Sequence, residues 1–578
     1  MNSVVGYLSQ RDIEVQSIGR ALGAGSQIGR LGRAGIAVRG PAASLATSDD
    51  WLCGLSGRVD NHNELISRVG PEDSEGTSSA GLVGRLLARE GIEALGGLRG
   101  VFAGVFTDGH RLWSFRDHMG FWPMFHTSVD GQSVAADSIR ACVDATGQGY
   151  VVDDQNLEDF FYGRIGTSTA TAIKGVERIR AGTWVQDDAV GSRIEQYWRP
   201  KELVEVDPPR EDEIPELFDS LMGQAVDRVV TGSDAVSLSG GIDSPVLAAY
   251  AAPLYRSRFG RALPALSAIY PDLPSVDEEQ LIRLVAGDLG MPLHTFRPNA
   301  SATDDLRRWV AQLDGPVPVV SLAETLETLS VAKSQGITNL ITGEWAEYLF
   351  DMPQRTLAYL IRRGRWRAAR RYWGSLRDQD VPVGTIASRL MKDLAPFGLR
   401  RGMALRRMGA TTPEWIDRSQ LVFQPRGPVV RDWMSSQAAM GEGPALGLEA
   451  DHVVQMAAGV SIRRPFADVD LVEFFLRLPA EVKYPGPGRK QLIRALARGK
   501  VPDAILDRRD KTLFDEAVKA SIDYGQLVSL LGDDSPMPGV DYGLLRSRLH
   551  SRELDLVEYM WAKDLAAVHA FRSFASST

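Results

Sequence analysis

Ser239-Gly240-Gly241-Ile242-Asp243-Ser244 is the stretch on which the reading of this 578-residue chain turns. Ala235-Val236-Ser237-Leu238 precedes it and reads as a strand, and Pro245 to Tyr255 follows and reads as a helix. Two glycines let the backbone turn sharply and come close to a ligand. Backbone N–H groups at the helix start then face an anion, and the hydroxyls of Ser239 and Ser244 add donors. Pro245 is tolerated in the first turn, where its missing N–H is not needed. Asp243 would repel a bare phosphate, but it suits Mg²⁺ that bridges phosphate oxygens. No Gly-x-x-x-x-Gly-Lys-Ser/Thr run occurs, so this is not a Walker site.

Working outward, short apolar runs (DAVSLS, ALSAIY, TNLITG) alternate with helical patterns from Leu217 onward, which predicts βαβ units and a parallel sheet. After Phe350 the pattern is mostly helical. Upstream, KELVEVDPPREDEIPE is rich in Pro and charge and marks a linker at about Pro200 to Glu213. The first 150 or so residues read as short strands such as WLCGLSGRV, GVFAGVFTD and RLWSFRD, with one helix from Ser79 to Glu90. This predicts an α+β first domain of packed antiparallel sheets, residues 1–205, and an α/β second domain with a parallel sheet and many helices, residues 206–578.

Composition narrows the classes. Lys plus Arg is 65 and Asp plus Glu is 74, for a net charge of −9, which argues against generic nucleic-acid binding. Two cysteines, Cys53 and Cys142, exclude a disulfide scaffold and a Cys-built zinc site. His62, His118 and His126 do not fall at metal spacing. No signal peptide and no 18-residue apolar run is present, so a cytoplasmic protein without a membrane span is expected.

The loop resembles the PP-loop of ATP pyrophosphatases. With it stand Leu98-Arg99-Gly100-Val101-Phe102-Ala103, Arg116-Asp117-His118-Met119-Gly120-Phe121-Trp122-Pro123, Thr342-Gly343-Glu344-Trp345-Ala346-Glu347, Arg463-Arg464-Pro465-Phe466-Ala467-Asp468, Lys490 and Leu506-Asp507-Arg508-Arg509-Asp510-Lys511. In this order they resemble the asparagine synthetase-like family over roughly residues 1 to 520. That implies a glutaminase-like domain of the Ntn type joined to an ATP-dependent amide-forming domain.

Departures from the family pattern shape the expected function. A working glutaminase of this family has Cys directly after the initiator Met, as nucleophile; here stands Asn2. The family's Asn-Gly-Glu stretch aligns with Ser56-Gly57-Arg58, and its glutamine-reading Asp falls near Ser79. A synthetase without its own ammonia must take another amine. Among such branches the sequence looks most like a lasso peptide cyclase, a macrolactam-forming ligase, because Glu344 stands where β-lactam synthetases carry Tyr. The Arg-rich stretch from Tyr359 to Arg371 adds to this likeness. Arginines 362, 363, 365, 367, 370 and 371 form either a solvated face or a contact with peptide or partner. The resemblance implies a precursor peptide as substrate, with a leader peptidase and a leader-binding protein as partners. Rivals are a β-lactam-type small-molecule cyclase, an ammonia-fed asparagine synthetase and a non-catalytic nucleotide-binding scaffold.

The resemblance also implies roles. ATP would lie on Leu238, Ser239, Gly240, Gly241, Asp243, Ser244 and Gly343, with adenine near Ser267 and Ile269 at the end of the next strand. Asp243 and Glu347 would hold Mg²⁺, although the family has Asp at the latter position. Lys490 would stabilise transition-state charge. Glu344 is the expected base, with Glu449 or Asp451 as partner. Trp345, where Gly is usual, is read as either pocket wall or core. Glu278 and Glu279 either face the site or sit on a solvated helix start. Residues 351–448 are expected to form the peptide-specific wall.

Overall fold

The computed structural model describes residues 3–9, 22–23, 25–70, 78–164, 169–299, 301, 306–318, 322–351, 355–379, 381–422, 445–508, 512, 514–532 and 536–577. Asn2, the Arg509-Asp510-Lys511 end of the last motif, and parts of the 351–448 segment lie outside them.

Among the described residues, twelve strands build the first region: β1 Ser3–Ser9, β2 Gln27–Leu31, β3 Ala34–Arg39, β4 Ala43–Thr47, β5 Leu52–Val59, β6 Gly100–Thr107, β7 Leu112–Arg116, β8 Phe125–Val129, β9 Gln132–Ala136, β10 Glu177–Arg178, β11 Thr183–Asp187 and β12 Ser192–Gln196. They form two antiparallel sheets, ordered β10-β8-β9-β1-β3-β2 and β12-β11-β7-β6-β5-β4. Val4, Ile36, Leu52, Val105, Leu112 and Met124 fill the space between the sheets. The predicted helix Ser79–Glu90 forms with those bounds. The Ser78 side chain caps it, and Leu82, Val83, Leu86 and Leu87 are buried towards the outer face of β5. Helix Ile139–Thr146 lies against the other sheet, and helix Asp154–Phe161 packs against the helix Leu556–Ser576. The result is the expected layered sandwich.

The expected linker is short helical and turn structure, with Pro200–Leu203 a 3₁₀ turn, up to the helix Ile214–Val229. Five strands follow: β13 Asp234–Ser237, β14 Ala265–Ala268, β15 Leu293–Phe296, β16 Asn339–Ile341 and β17 Ser461–Arg463. All pair in parallel, in the order β15-β14-β13-β16-β17. The chain therefore winds outward from β13 in one direction through β14 and β15, and in the other through β16 and β17. The reversal falls between β13 and β16. In open parallel sheets ligands bind at the carboxyl ends of the strands flanking such a switch point. Here those ends carry Ser239 to Ser244 and Gly343 to Glu347.

Charged pairs and rings join the two regions. Arg99 donates to Asp470, Arg228 to Glu64, and the Trp198 indole to Glu473. Buried Arg178 pairs with buried Glu449. No helix among the described residues is long and apolar enough to cross a membrane.

Candidate functional site

The loop after β13 is held from three sides. The Ser239 N–H donates to Ser244 Oγ at 2.8 Å, and the two serine hydroxyls lie 2.9 Å apart, which closes the turn on itself. The Gly240 N–H donates to Glu278 Oε2 at 2.9 Å. Arg508 donates both to the Gly240 carbonyl, at 2.9 Å, and to Glu278, at 2.7 Å, and Thr512 Oγ1 donates to the same carboxylate. Glu278 is therefore an anchor of the loop, whereas Glu279 pairs along its own helix with Arg283. A Cβ on Gly240 would sit 2.8 Å from the Glu278 Cβ, so only glycine permits this approach.

Helix Asp243–Phe259 starts directly after the loop. Its first turn meets the end of β16 at Gly343, where a Cβ would come within 2.6 Å of the Ser244 N. That close fit brings Asp243 beside Glu347. Lys490 reaches Asp243 and makes an ion pair with it. Burial raises the Glu347 carboxyl above its ordinary range, repulsion from Asp243 adds to the rise, and Lys490 works against it. Two carboxylates crowded together under one lysine suit a divalent cation. Among the described residues no group of three or more His, Cys, Asp or Glu gathers to hold a metal. A Mg²⁺ on Asp243 and Glu347 would complete its shell with phosphate oxygens and water, as this ion commonly does.

Glu344 stands across the same mouth, its side chain about half exposed. Arg464, which follows β17 and is buried, donates from Nε to Glu344 at 2.5 Å and pairs with Asp451 through Nη2. Burial works against the Arg464 charge, and the two carboxylates more than offset it. Burial also raises Asp451, with Arg464 opposing and Glu344 adding to the rise. Asp451 is thus the residue linked to Glu344, through a guanidinium that sequence reasoning did not assign. Glu449 does not join this group: it faces Arg178 and Arg116 of the first region.

The first region props this corner. The Asp117 carboxylate accepts the N–H groups of Met119, Gly120, Phe121 and Trp122, and Arg116 donates to the carbonyls of Gly120, Trp122 and Ile179. The turn so fixed presents Phe121, which packs edge-on to Trp345 at 5.0 Å and lies under the Arg464 guanidinium at 5.1 Å. Trp345 is 4% exposed and also packs, tilted, against Tyr348, so it is core between the regions and not an open pocket wall. Its φ of 80° is a left-handed conformation rare for a bulky residue. This matches the glycine usual in the resemblance.

Adenine is expected on the backbone near Ser267 and Ile269, at the end of β14. Ser267 is buried and its hydroxyl donates to the Leu238 carbonyl at 2.7 Å, while the Leu238 N–H donates to Leu266. Leu238 and Ser267 thus brace the loop with groups turned into the sheet. The Ile269 N–H is also engaged, donating to Phe296 at 2.9 Å.

In the first region, Ser56 is fully buried, Arg58 pairs with Asp60, and Ser79 Oγ lies 3.1 Å from His62 Nε2. Cys53 and Cys142 are buried in the core, and burial pushes both thiols far up, away from the thiolate that a nucleophile needs. His118 is a packed turn residue. Burial and nearby Arg99 hold it neutral, its pKa lowered to about 3.

Fold and site together define a two-domain protein of the amidotransferase-linked ligase class: an Ntn-type sandwich joined to a parallel sheet with the Ser239–Ser244 loop at its switch point. The asparagine synthase family model matches residues 217–565, and a glutamine amidotransferase domain model matches residues 37–198. The chain belongs to the asparagine synthase family, whose members are ATP-dependent, AMP-forming carbon–nitrogen ligases. It is 28% identical over 320 residues to "Amidase chyE" of Penicillium rubens, covering 51% of this chain and 46% of that protein. It is 26% identical over 218 residues to a "Putative asparagine synthetase (glutamine-hydrolyzing)" of Mycobacterium tuberculosis, covering 35% and 33%. The chain therefore spans less than half the length of these curated relatives. Among solved structures, it is similar to glutamine phosphoribosylpyrophosphate amidotransferase of B. subtilis in complex with ADP and GMP. That likeness has a TM-score of 0.25 and 12% identity, over 52% of this chain and 82% of that one.

Proposed function

We propose that this protein is an ATP-dependent macrolactam cyclase. It would adenylate an Asp or Glu side-chain carboxylate of a precursor peptide and pass the acyl group to that peptide's N-terminal amine. The observation that carries this reading is a contrast between the two regions. Ser239, Asp243, Glu347, Lys490 and Glu344 converge on one mouth, while neither cysteine of the sequence is placed to hydrolyse glutamine.

Bound ATP with Mg²⁺ supplies an electrophilic α-phosphorus and pyrophosphate as leaving group. The substrate carboxylate oxygen bonds to that phosphorus as the bond to pyrophosphate breaks. The 239–244 loop and the start of the helix that follows it would seat the phosphates, and Lys490 would offset the negative charge that builds on them. The amine then bonds to the acyl carbon and AMP leaves with the carboxylate oxygen. An α-amine has an ordinary pKa of roughly 7.7–8.0, so part of it arrives protonated. Glu344, oriented by Arg464, accepts a proton from the attacking nitrogen. Holding both reacting ends in place lowers the entropic barrier to ring closure by up to roughly 7–11 kcal/mol.

The purified protein, ATP, Mg²⁺ and a precursor peptide, with glutamine and ammonia absent, should yield a product lighter by one water, with AMP and pyrophosphate. Mass spectrometry reads the product. Asparagine formed only from aspartate and ammonia would show the asparagine-synthetase rival instead, and a ring closed on a small amino acid would show the β-lactam-type one. Absence of AMP with every carboxylate offered would favour a binding scaffold.

A further inference from the structure

The segment from Arg355 to Thr411 is chemically unlike the rest of the chain. It holds 14 Lys and Arg against 3 Asp, a net of +11, which leaves −20 on the remainder of a chain whose total is −9. Four helices build it: Thr356–Arg362, Trp366–Asp378, Val383–Leu394 and Phe397–Thr411. Leu357, Tyr359, Leu360, Tyr372 and Leu376 seat the first two against Ala480 and Tyr484, and Arg365 ties them to Glu205 and Glu481 at 2.8 Å each. The last two are thinly seated. Val383–Leu394 buries Ile386, and none of residues 398–411 is buried.

What this face exposes is mixed in kind. Trp366, Met391 and Leu399 are each more than 60% exposed, interleaved with exposed Arg367, Arg370, Arg371, Arg389, Lys392 and Arg401. Arg355, Arg389, Lys392 and Arg400 act on one carboxylate, that of Asp393. Arg400 is itself pressed by Arg355 and Arg362. The Nε and Nη1 atoms of Arg400 are shut from solvent and lack a hydrogen-bond partner among the described residues. The segment also lies close in sequence to residues near the site. It begins four residues after Asp351, whose carboxylate holds Arg489, the neighbour of Lys490.

We propose that this basic helical face docks an acidic stretch of polypeptide, studded with apolar residues and belonging to the substrate, and so presents the substrate's reactive end to the site. The occupant's identity as substrate rests on the cyclase reading; the docking surface itself does not. Charge complementarity supplies the attraction, and the exposed indole and aliphatic chains give an apolar footing that a purely electrostatic surface would lack. A nucleic acid suits the face less well. Its long run of charge would extend over a body carrying −20, whereas a short acidic peptide is confined to the basic helices.

Fluorescence anisotropy of a labelled short peptide of Asp, Glu and Leu, titrated with the full chain, tests this without ATP or turnover. Loss of cyclase activity and loss of docking are therefore separable results. The peptide should bind, weaken as salt is raised, and lose affinity about tenfold on the double charge reversal R400E/R401E. R370E/R371E, on a firmly seated helix, should weaken it similarly and stands in if the first variant unfolds. Three results would overturn the proposal: wild-type affinity in a folded charge-reversed variant, equal binding of a Lys-for-acid analogue, or displacement of the peptide by a lower concentration of single-stranded oligonucleotide.

Discussion

Asp243→Ala is expected to abolish AMP formation, with a loss of about 10³-fold or more. Three consequences converge on this residue. The variant removes one of the two carboxylates able to hold the cation, leaving Glu347 alone. It strips Lys490 of its ion-pair partner at the phosphate loop. It also removes an acidic side chain from the first turn of the helix, where negative charge is favoured. Asp243→Asn keeps the size and should lose nearly as much, because the carboxamide is a poor Mg²⁺ ligand and cannot pair with Lys490 as a charge. A quench-flow or coupled pyrophosphate assay reads the effect. Undiminished turnover in folded Asp243→Ala would remove the metal role.

Glu344→Gln separates the two half-reactions. Adenylation does not use this carboxylate, so pyrophosphate should still be released. The amine would lose the group that accepts its proton, and amide formation should fall by about 10²–10⁴-fold. Water then takes the activated acid instead, so AMP should accumulate without matching ring product. The ratio of cyclised peptide to AMP is therefore the diagnostic quantity. Arg464→Gln should move the same ratio in the same direction by a smaller factor, because Arg464 orients Glu344 and does not itself take the proton. An unchanged ratio in Glu344→Gln would assign the proton transfer elsewhere.

Local pattern made the Ser239–Ser244 turn legible. The strand, the glycine turn and the helix after it are contiguous in sequence, so local signals suffice to find them. The helix Ser79–Glu90 was legible for the same reason: a capping serine, helical apolar spacing and a glycine just past its end. The short strands β15 and β17 were not. β17 is three residues whose strand character comes from pairing with β16, and no period can be read from three residues. Arg464 went unassigned because its role needs segments around residues 344, 451 and 464 brought together.

The choice between Glu449 and Asp451 illustrates the same limit. Both lie on the helix Ala445–Ala458, two positions apart and so on nearly opposite faces. Sequence alone does not say which face turns to the site. The fold turns Asp451 to Arg464 and Glu449 to the first region. Ser267 lies on β14 with its side chain turned back to Leu238, so the adenine expectation rests on the backbone there.

Transfer of a labelled oxygen tests the central claim most directly. A precursor peptide whose acceptor side-chain carboxylate carries ¹⁸O in both positions is incubated with the protein, ATP and Mg²⁺, without ammonia or glutamine. If the acid is activated as its adenylate and captured by the peptide's own amine, the released AMP carries one ¹⁸O and the ring amide retains the other. Unlabelled AMP, or ADP and inorganic phosphate in its place, would contradict the account.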